Sequence, residues 1–384
     1  MRSLLSTKEQ RQLRLLEILI QKRDWIRLNE LAQTLECTER ILKNDLNELR
    51  TAFPNFKIQS SINGIMLNLD TAASIEDIYI YFLSHSQSFQ LLEYMFFNEG
   101  LPIYRTVEKL HSSNANLYRL GNRITTILSK QFQIELSFTP TSLNGNEIDI
   151  RYFYAQYFSE RYYFLDWPFS DISEKVITEF ADYFYKSTNY PMRFAIYRMY
   201  KLMLAISIHR VKNGHFIDLP NHFYQDYYPV LINLPDFEDK LAYFSQQFGL
   251  EMTPDIVAQI FISFLQNDIF LDPQQFFDSL NKNEESRYSY QLLSQILERL
   301  SKAFNIKFAN HDELIWHLHN TAYFERQETF STPLLFEQKG ITLEKFKVYF
   351  PDFMESARQE LAQYRQAIGQ HDHPEQLEHL MYTI

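Results

Sequence analysis

The stretch LNELAQTLECTERILKNDLNELR, residues 28–50, decides the fold of the N-terminal part of the chain. A short helical segment at residues 28–35 is followed by a tight turn through Glu36 and Cys37, and a further helix then begins at Thr38. The next helix carries an apolar stripe at positions i, i+4, i+7 and i+11, namely Leu42, Leu46, Leu49 and Phe53. Two helices joined by a tight turn predict a helix-turn-helix.

The flanking sequence completes this unit. Residues 7–21 have apolar side chains at helical spacing, which predicts a first helix. Residues 54–55 (PN) stop the third helix. Residues 56–58 and 65–69 then alternate in polarity around the turn at residues 60–64 (SSING), which predicts a β-hairpin. Three helices followed by a small hairpin are typical of a winged helix-turn-helix.

The same layout occurs a second time, after a linking helix at residues 74–83. Gly121 lies inside the third helix of this second unit, predicted at residues 114–128, and weakens that helix by about 1 kcal/mol relative to Ala. The predicted parts are a first helix at residues 89–97 ended at Gly100, a second at 103–110, a turn at 111–113, a third at 114–128, and a wing at 132–137 with a turn at 144–146. The sequence therefore predicts two consecutive winged units.

The remainder of the chain, from Arg151 onward, shows almost only helical patterns. They lie at residues 172–185, 192–211, 237–248, 254–265, 290–304, 312–326 and 343–368. Boundaries are predicted near Ile150 and in the polar stretch 281–287. The expected fold is mainly α, with two N-terminal winged helix-turn-helix units that have small β-wings, followed by two all-helical bundles. The expected domains are residues 1–70, 71–150, 151–280 and 281–384.

Charge is unevenly distributed along the chain. The 384 residues have a net charge of −11. Residues 1–60 carry +3 and residues 101–130 carry +4, which leaves −18 for the remainder. Because phosphate contacts need Lys and Arg, the basic parts suit DNA and the acidic body suits protein contacts. The single Cys37 excludes an intramolecular disulfide and fits a reducing compartment.

Missing patterns disfavour several classes of protein. The N-terminus lacks the uninterrupted apolar core of a signal peptide, and no run of about 18 apolar residues could span a bilayer, so we expect a cytoplasmic protein without membrane contact. No glycine pattern typical of nucleotide phosphate binding occurs. His317 and His319 are two apart on a helix and point to different faces, so together with His311 they do not predict a metal site. No cofactor, metal or enzymatic activity is expected.

The polar side of each third helix is the candidate surface for reading DNA. A recognition helix lies in the major groove with its N-terminal residues at the base edges, where Arg can pair with guanine and Asn with adenine. The candidates in the first unit are Thr38, Glu39, Arg40, Lys43 and Asn44. The candidates in the second unit are Ser113, Asn114, Asn116, Arg119 and Arg123. For any one of these side chains, a solvated polar face is the alternative.

At this point the sequence resembles the Mga and RofA-like transcription regulators of Gram-positive bacteria. The similarity rests on residues 28–50, on the second helix-turn-helix at residues 102–128 and on LIWHLHNTAYFERQ at residues 314–327. The domain order matches over essentially the whole chain. In such regulators two winged units precede two phosphotransferase-system regulation domains. The resemblance implies a homodimeric regulator that binds promoter DNA at virulence or sugar-responsive genes.

The resemblance also implies that histidines of the helical bundles accept phosphate from phosphocarrier proteins of the sugar phosphotransferase system. In LMLAISIHRVKNGHF, residues 202–216, the first candidate is His215, and His209 is its competitor. In the second bundle the candidate is His319, with His317 as competitor. Phosphorylation adds about two negative charges, which a neighbouring guanidinium could bind. The arginines that are near in sequence are Arg210 and Arg326. A structural imidazole is the alternative for each histidine.

The end of the chain departs from the resemblance. Such regulators usually continue into a domain like the sugar permease component IIB, whereas this chain ends at Ile384, so we expect a truncated or a short member. Two other functions stay open. An RNA-binding antiterminator would need a small β-rich N-terminal module, which the helix-turn-helix pattern disfavours. A helical enzyme or metal protein lacks a recognisable catalytic arrangement, because adjacent acidic residues such as Glu284 and Glu285 do not face one site.

Overall fold

The secondary structure is mainly helical, with two small antiparallel hairpins near the N-terminus. A computed structural model describes residues 1–70, 73–163, 166–186, 194–219, 234–261, 273–324, 334–335, 338–370 and 374–384. Over these ranges two winged units are followed by helices, so the predicted fold class is confirmed. No helix in the same ranges combines the length and the apolar character needed to span a bilayer.

The first winged unit has three helices and one hairpin. Its elements are α1 (Thr7–Lys22), α2 (Leu28–Thr34), α3 (Glu39–Ala52), β1 (Phe56–Ser61) and β2 (Gly64–Leu69). Leucines that recur at helical spacing face one another across the three helices and are buried, among them Leu13, Leu16, Leu31, Leu42, Leu46 and Leu49. Burial of one apolar face therefore leaves the polar face of α3 on the outside.

The first wing is held against the helices at a glycine. In the hairpin Ser61 lies opposite Gly64, and the next residue, Ile65, exchanges backbone hydrogen bonds of 2.9 and 2.8 Å with Ile26. Gly64 has a φ of 124°, and a Cβ at this position would lie 2.0 Å from the carbonyl oxygen of Ile26. Glycine is required here because β2 approaches that backbone so closely.

The second winged unit repeats this layout after a linking helix. Its elements are α4 (Glu76–His85), which is the linking helix, α5 (Gln87–Phe97), α6 (Ile103–Lys109), α7 (Asn114–Gln131), β3 (Glu135–Phe138) and β4 (Thr141–Asn144). Helices α2 and α6 are both seven residues long. Helices α3 and α7 each begin after the same number of intervening residues. The internal repeat predicted from the sequence is therefore present.

The second wing differs from the predicted one in where its turn lies. Strands β3 and β4 are joined at Thr139 and Pro140, with a cis peptide bond between these two residues. The prediction of a turn at residues 144–146 is wrong. Asn146 instead caps the next helix, because its Oδ1 accepts a hydrogen bond from the N–H of Ile148 (2.9 Å). Asn favours helix starts and turns alike, so the pattern alone did not distinguish them.

Gly121, which weakens α7 by its helix propensity, has a packing role. A Cβ at this position would lie 2.4 Å from Cε2 of Phe138. The Phe138 ring is buried and packs against Tyr118, with 5.1 Å between the ring centroids. The second wing therefore rests on its recognition helix at this glycine.

Helix α8 (Glu147–Tyr162) connects the second winged unit to the helical body. Most of its side chains are buried, including Ile150, Arg151, Tyr152, Phe153, Tyr154, Tyr157 and Phe158. Apolar residues cover several of its sides, so the sequence showed no single apolar stripe and this helix was missed. It runs unbroken through Ile150, where a domain boundary was placed, and the domain division stays a prediction.

The helical body contains ten described helices. They are α9 (Glu174–Lys186), α10 (Phe194–Lys212), α11 (Phe237–Phe248), α12 (Pro254–Phe261), α13 (Pro273–Ser279), α14 (Glu284–Phe304), α15 (His311–Phe324), α16 (Gln338–Tyr349), α17 (Pro351–Ala367) and α18 (Pro374–Thr383). Parts of three predicted helices, at residues 192–193, 262–265 and 325–326, lie outside the described residues, as does Arg326.

Two details of the helical body differ from the sequence prediction. The polar stretch 281–287 is not a linker throughout, because Asn283 caps α14 and residues 284–287 form its first turn. The single helix predicted at residues 343–368 is two helices, with the break at Phe350. Pro351 begins α17, a position where its missing N–H is tolerated and where it cannot continue α16.

Two clusters of buried apolar side chains hold the chain together. The first contains residues of both winged units, of α8 and of α9 to α12, together with Leu334 and Leu335. The second is formed by residues of α13 to α18. The second winged unit therefore shares a core with the first part of the helical body, and movement of one part strains the other.

We predict that Gly64→Ala lowers the free energy of unfolding by more than about 1 kcal/mol, because the new Cβ meets backbone atoms that no rotamer change can move. Gly369→Ala is the control, since Gly369 also has a positive φ (77°) but no described atom lies within 4 Å of an added Cβ. Urea denaturation compares both variants with the unsubstituted chain. Equal losses of stability in the two variants would contradict the packing argument.

Candidate functional site

The polar face of α3 is open to solvent. All five candidate residues of the first unit are exposed, namely Thr38, Glu39, Arg40, Lys43 and Asn44. Asn47, one turn beyond Lys43, is exposed as well. The opposite face packs into the core through Leu42, Leu46 and Leu49. The structure therefore brings the predicted side chains of this unit together on one helix surface.

Both recognition helices begin with the same capped turn. Glu36 and His111 adopt positive φ angles (49° and 46°) and reverse the chain between the two helices of each unit. The hydroxyl of Thr38 accepts a backbone N–H of the first turn of α3 (3.3 Å), and that of Ser113 does the same in α7 (3.2 Å). Two of the predicted DNA contacts thus satisfy backbone donors at the helix start.

Arg50 connects the first recognition helix to its wing, which the sequence reasoning did not foresee. Its guanidinium donates to the carbonyl oxygen of Ile58 (3.0 Å), to Oγ of Ser60 (2.5 Å) and to Oδ1 of Asn47 (3.1 Å). Ile62 at the tip of this wing is fully exposed. Because Asn47 and Arg50 are neighbours at i,i+3, the exposed helix face continues onto the wing. The sequence feature that could have pointed to Arg50 is its helical spacing from the other basic residues of α3.

Helix α7 presents a smaller polar surface. Asn114 and Arg119 are exposed, and Asn116 is half-buried. Nη2 of Arg119 donates to Oδ1 of Asn116 (2.8 Å), and Nδ2 of Asn116 donates to Oγ of Ser112 (2.8 Å). These hydrogen bonds orient the guanidinium and the amide in the free protein.

Arg123 is directed away from this surface and toward the first winged unit. Its Nη2 donates to the carbonyl oxygen of Leu4 and to Oγ of Ser88 (3.1 Å). Oγ of Ser88 also donates to the carbonyl oxygen of Leu4 (2.7 Å). Arg123 thus connects the two winged units, and its predicted DNA contact competes with these internal hydrogen bonds.

Ionic contacts fix α3 on α1. The buried carboxylate of Asp45 accepts hydrogen bonds from Nε of Arg11 (2.6 Å) and Nε2 of Gln12 (3.2 Å). Glu48 accepts from Nζ of Lys8 (2.7 Å) and from Gln12 (2.9 Å). The hydrogen bond to Asp45 raises the pKa of Arg11 above its ordinary value, so the guanidinium stays charged. The recognition helix is therefore held by charge as well as by apolar packing.

His215 lies where the helical body meets the second winged unit. Its Nε2 is 2.7 Å from Oε2 of Glu99, a residue of the segment between α5 and α6. The side chain of His215 is 30% exposed, so part of its ring stays open to solvent. The first candidate for phosphorylation is therefore partly accessible and in contact with the second winged unit.

Buried charges surround this contact. Arg210 donates Nη1 to Oε2 of Glu99 (2.9 Å) and Nη2 to Oε2 of Glu147 (2.6 Å). Arg151 donates Nε to Oε1 of Glu147 (2.9 Å) and Nη2 to the carbonyl oxygen of His215 (3.2 Å). Both guanidiniums are buried, and the two carboxylates balance their charge. His215 is the more exposed member of this group.

The charge state of Glu99 follows from its partners. Burial would raise the pKa of this carboxyl group, but the hydrogen bond to His215 and the charge of Arg210 outweigh burial and hold the pKa below its ordinary value. Glu99 is therefore ionised at neutral pH. Arg210 was predicted to bind the phosphate, but its guanidinium is already paired with the carboxylates of Glu99 and Glu147.

His319, the second candidate, is enclosed in the C-terminal helices. Its ring is fully buried, and its Nδ1 is 2.8 Å from Oγ of Ser289, which in turn is 2.7 Å from the hydroxyl of Tyr364. His317, the competitor, has a side chain that is 28% exposed, and its Nε2 lies 3.6 Å from Oε1 of Glu313. The His319 ring is therefore closed to solvent, whereas part of the His317 side chain is open.

His209, the competitor of His215, has structural contacts. Its Nε2 lies 3.1 Å from the carbonyl oxygen of Phe96, and its ring stacks on the Phe96 ring at 4.6 Å. Burial lowers the pKa of His209, although the Phe96 carbonyl opposes this effect, so the ring is neutral at neutral pH. These contacts match the structural alternative for this histidine.

The described part of the chain contains no group of three or more His, Cys, Asp or Glu side chains arranged to hold a metal ion. His311, which the sequence places near His317 and His319, lies 3.3 Å from its neighbour Asp312. The three histidines therefore have different contacts.

Family models match the chain along most of its length. Residues 6–65 match the M protein trans-acting positive regulator (MGA) HTH domain, and residues 71–158 match the Mga helix-turn-helix domain. Residues 173–384 match the M protein trans-acting positive regulator (MGA) PRD domain. The first match covers the first winged unit up to the start of β2, the second covers the linking helix, the second winged unit and most of α8, and the third covers the helical body from α9 onward.

Curated relatives agree with these matches. A putative trans-acting regulator of Streptococcus pneumoniae serotype 4 is 38% identical over 385 residues, which is 100% of this chain and 78% of that protein. The capsule synthesis positive regulator AcpB of Bacillus anthracis is 21% identical over 92% of this chain and 76% of its own length. The anthrax toxin expression trans-acting positive regulator of the same organism is 25% identical over 54% of this chain and 44% of its own length.

We predict that Thr38→Ala lowers the free energy of unfolding by about 1 kcal/mol, because a backbone N–H of α3 loses its side-chain acceptor. Thr38→Ser keeps the hydroxyl and is the matched control, with stability near that of the unsubstituted chain. Chemical denaturation measures both. Unchanged stability of Thr38→Ala together with weaker DNA binding would mean that the hydroxyl serves DNA and not the helix start.

Proposed function

The chain belongs to the M protein trans-acting positive regulator (Mga) family of transcription regulators, and we propose that it binds promoter DNA through α3 and α7 and is tuned by phosphorylation of His215 and His319. Its helix-turn-helix domains imply DNA binding, and its PRD domain implies interaction with components of the phosphotransferase system. The observation that carries the proposal is the pair of capped recognition helices whose polar faces point to solvent.

In this proposal α3 makes the principal base contacts. Arg40 and Asn44 are one turn apart on the exposed face and suit guanine and adenine, respectively. Glu39 can accept a hydrogen bond from cytosine, and Lys43 neutralises a phosphate. The N-termini of both helices also attract phosphate, because their first N–H groups point outward. Thr38 contributes to this arrangement as the residue that caps the helix.

The second recognition helix supplies a smaller set of contacts. Asn114 and Arg119 are exposed near its N-terminus, and Asn116 is held in place by Ser112. Ser113 caps the helix, and Arg123 adds a DNA contact only if it leaves its internal partners. We infer that α7 binds a second, adjacent stretch of the same DNA, because one chain carries both helices in units that are hydrogen-bonded to each other.

Phosphorylation at His215 is supported by accessibility and position. The ring is partly exposed, whereas the competing His209 is buried against Phe96. A phosphoryl group adds about two negative charges beside the carboxylate of Glu99, which changes the balance of charge at the contact between the helical body and the second winged unit. A phosphocarrier protein of the phosphotransferase system is the proposed donor.

His319 is the second proposed acceptor and differs in its environment. Its ring is buried and hydrogen-bonded to Ser289, so we infer that a phosphate donor modifies it only in an opened state of the C-terminal helices. The more exposed His317 is the alternative acceptor on the same helix.

The names of two relatives suggest which genes are controlled. One is named for capsule synthesis and the other for anthrax toxin expression. We therefore propose that this chain regulates virulence genes in response to sugar supply, as a cytoplasmic homodimer. We also propose four domains divided near residues 70, 150 and 280, and a regulatory activity without catalysis.

We predict that replacing both Arg40 and Lys43 with Ala weakens binding to a promoter fragment by at least about tenfold and reduces the salt dependence by roughly one unit of slope per lost phosphate contact. The control is the double replacement of Lys175 and Lys302 with Ala, since these lysines are exposed on the helical body. Fluorescence anisotropy at several salt concentrations measures both, on a fragment found by footprinting. Equal affinity of the two double variants would exclude α3 as the DNA-binding surface.

We predict that phosphoenolpyruvate and the general phosphotransferase proteins label the native chain chiefly at His215, because its ring is accessible and that of His319 is not. His215→Ala is expected to remove most of the acid-labile label, and His319→Ala only a small part. His311→Ala is the control, since His311 is exposed and lies outside both sites. Labelling that survives the combined replacement of His215 and His319 would refute the choice of sites.

A further inference from the structure

Glu99 reaches His215 from the second winged unit. The next residue, Gly100, donates its N–H to the carbonyl oxygen of Thr141 in the second wing (2.7 Å), which ties this segment to β4. The Glu99 side chain is 11% exposed, and its Oε2 lies 2.7 Å from Nε2 of His215. The acidic partner of the proposed phosphate acceptor therefore belongs to the second winged unit, which also carries α7.

Arg210 holds this carboxylate in place. Its Nη1 donates to the same Oε2 atom of Glu99 (2.9 Å), while its Nε and Nη2 donate to Glu147 at 3.0 and 2.6 Å. Arg210 is 1% exposed, so a change of partner would leave a buried charge uncompensated. The hydrogen bond from Arg210 thus fixes the orientation of the Glu99 carboxylate toward His215.

The hydrogen bond between Glu99 and His215 determines where the proton of the imidazole lies. An ionised carboxylate has acceptor atoms but no proton to donate, so the bond requires a proton on Nε2. In the neutral ring the lone pair is then on Nδ1. A phosphoryl group bonds to the nitrogen that carries the lone pair. The contact therefore selects Nδ1 as the nucleophile.

We propose that Glu99 is a positioning residue for the phosphorylation of His215: it holds the proton on Nε2, directs the phosphoryl group to Nδ1 and stabilises the charge that forms on the ring. This inference rests on the proposed phosphorylation of His215 and adds to it a residue of the second winged unit.

The transfer conserves atoms and charge without a further reactant. The donor is a phosphohistidine of a carrier protein. The lone pair on Nδ1 of His215 attacks phosphorus, the phosphorus–nitrogen bond of the donor breaks, and its electron pair returns to the donor imidazole. Nε2 keeps its proton, so the imidazole of His215 becomes cationic and faces the carboxylate of Glu99. The acid of a Ser-His-Asp triad orients and stabilises an imidazolium in the same way.

This arrangement couples phosphorylation to the state of the DNA-reading part. A displacement of the second winged unit would withdraw Glu99 from Nε2 and remove the preference for Nδ1. Because coupling between two binding events is reciprocal, a change in phosphorylation at His215 would shift the position of that unit by the same free energy. The contact thus links the proposed phosphorylation site directly to the second winged unit.

The first test compares phosphorylation rates in the full chain. We expect Glu99→Gln, which removes the negative charge, to slow labelling of His215 by about tenfold or more, the size of loss that follows when the carboxylate partner of a metal-bound imidazole is altered. Glu99→Asp is expected to restore part of the rate. Glu93→Gln is the matched control, because Glu93 lies in the same winged unit but accepts a hydrogen bond from Tyr162. Circular dichroism and gel filtration confirm that each variant is folded.

The second test identifies the nitrogen, which a merely structural role for Glu99 would not affect. Phosphorus-31 NMR of the labelled chain is expected to show phosphate on Nδ1 of His215, and long-range proton–nitrogen NMR of the unlabelled chain is expected to show the Nε2–H tautomer. Phosphate on Nε2, an Nδ1–H tautomer, or a normal labelling rate in Glu99→Gln would overturn the inference. Absence of label at His215 in the unsubstituted chain would contradict the proposed function itself. The tautomer of His215 would still be measured on the unlabelled chain, so the effect of Glu99 on the ring is tested independently of phosphorylation.

Discussion

The arrangement of the second winged unit on the helical body depends on the guanidinium of Arg210, which binds both Glu99 and Glu147. All three groups lie away from bulk solvent, and loss of one partner from such a buried set costs about 3–5 kcal/mol because it strands a charge. The apolar core that the second winged unit shares with α8 and α10 adds to this constraint. His215, beside this network, contacts the second winged unit directly through Glu99.

Hydrogen bonds also join the two winged units to each other. The carbonyl oxygen of Leu4 receives hydrogen bonds from Arg123 and Ser88, which belong to the second unit. Ser86 also donates to Glu9 at 3.4 Å. These hydrogen bonds place both recognition helices on one hydrogen-bonded framework, which suits the proposed binding of adjacent DNA sites by one chain.

The two candidate histidines show which features of the site the sequence could not predict. The resemblance proposed His215 and His319 as phosphate acceptors, and the sequence could not rank them by environment, because imidazoles in a helical pattern look alike whether buried or exposed. Tertiary packing encloses His319 beside Ser289 and leaves His215 partly open beside Glu99. More than one hundred residues of chain separate Glu99 from His215, so no local pattern could have paired them.

Periodicity by itself determined the mainly helical fold, both helix-turn-helix units and the polar face of α3, since burial of a regular apolar stripe fixes which side faces water. It failed where apolar residues cover several sides, as in α8, and where Asn146 caps a helix instead of forming a turn. Only the tertiary structure decided the partners of buried charges and the direction of Arg123. Those outcomes depend on contacts between distant segments, and the identity of a charged residue specifies its need for a partner but not which partner it finds.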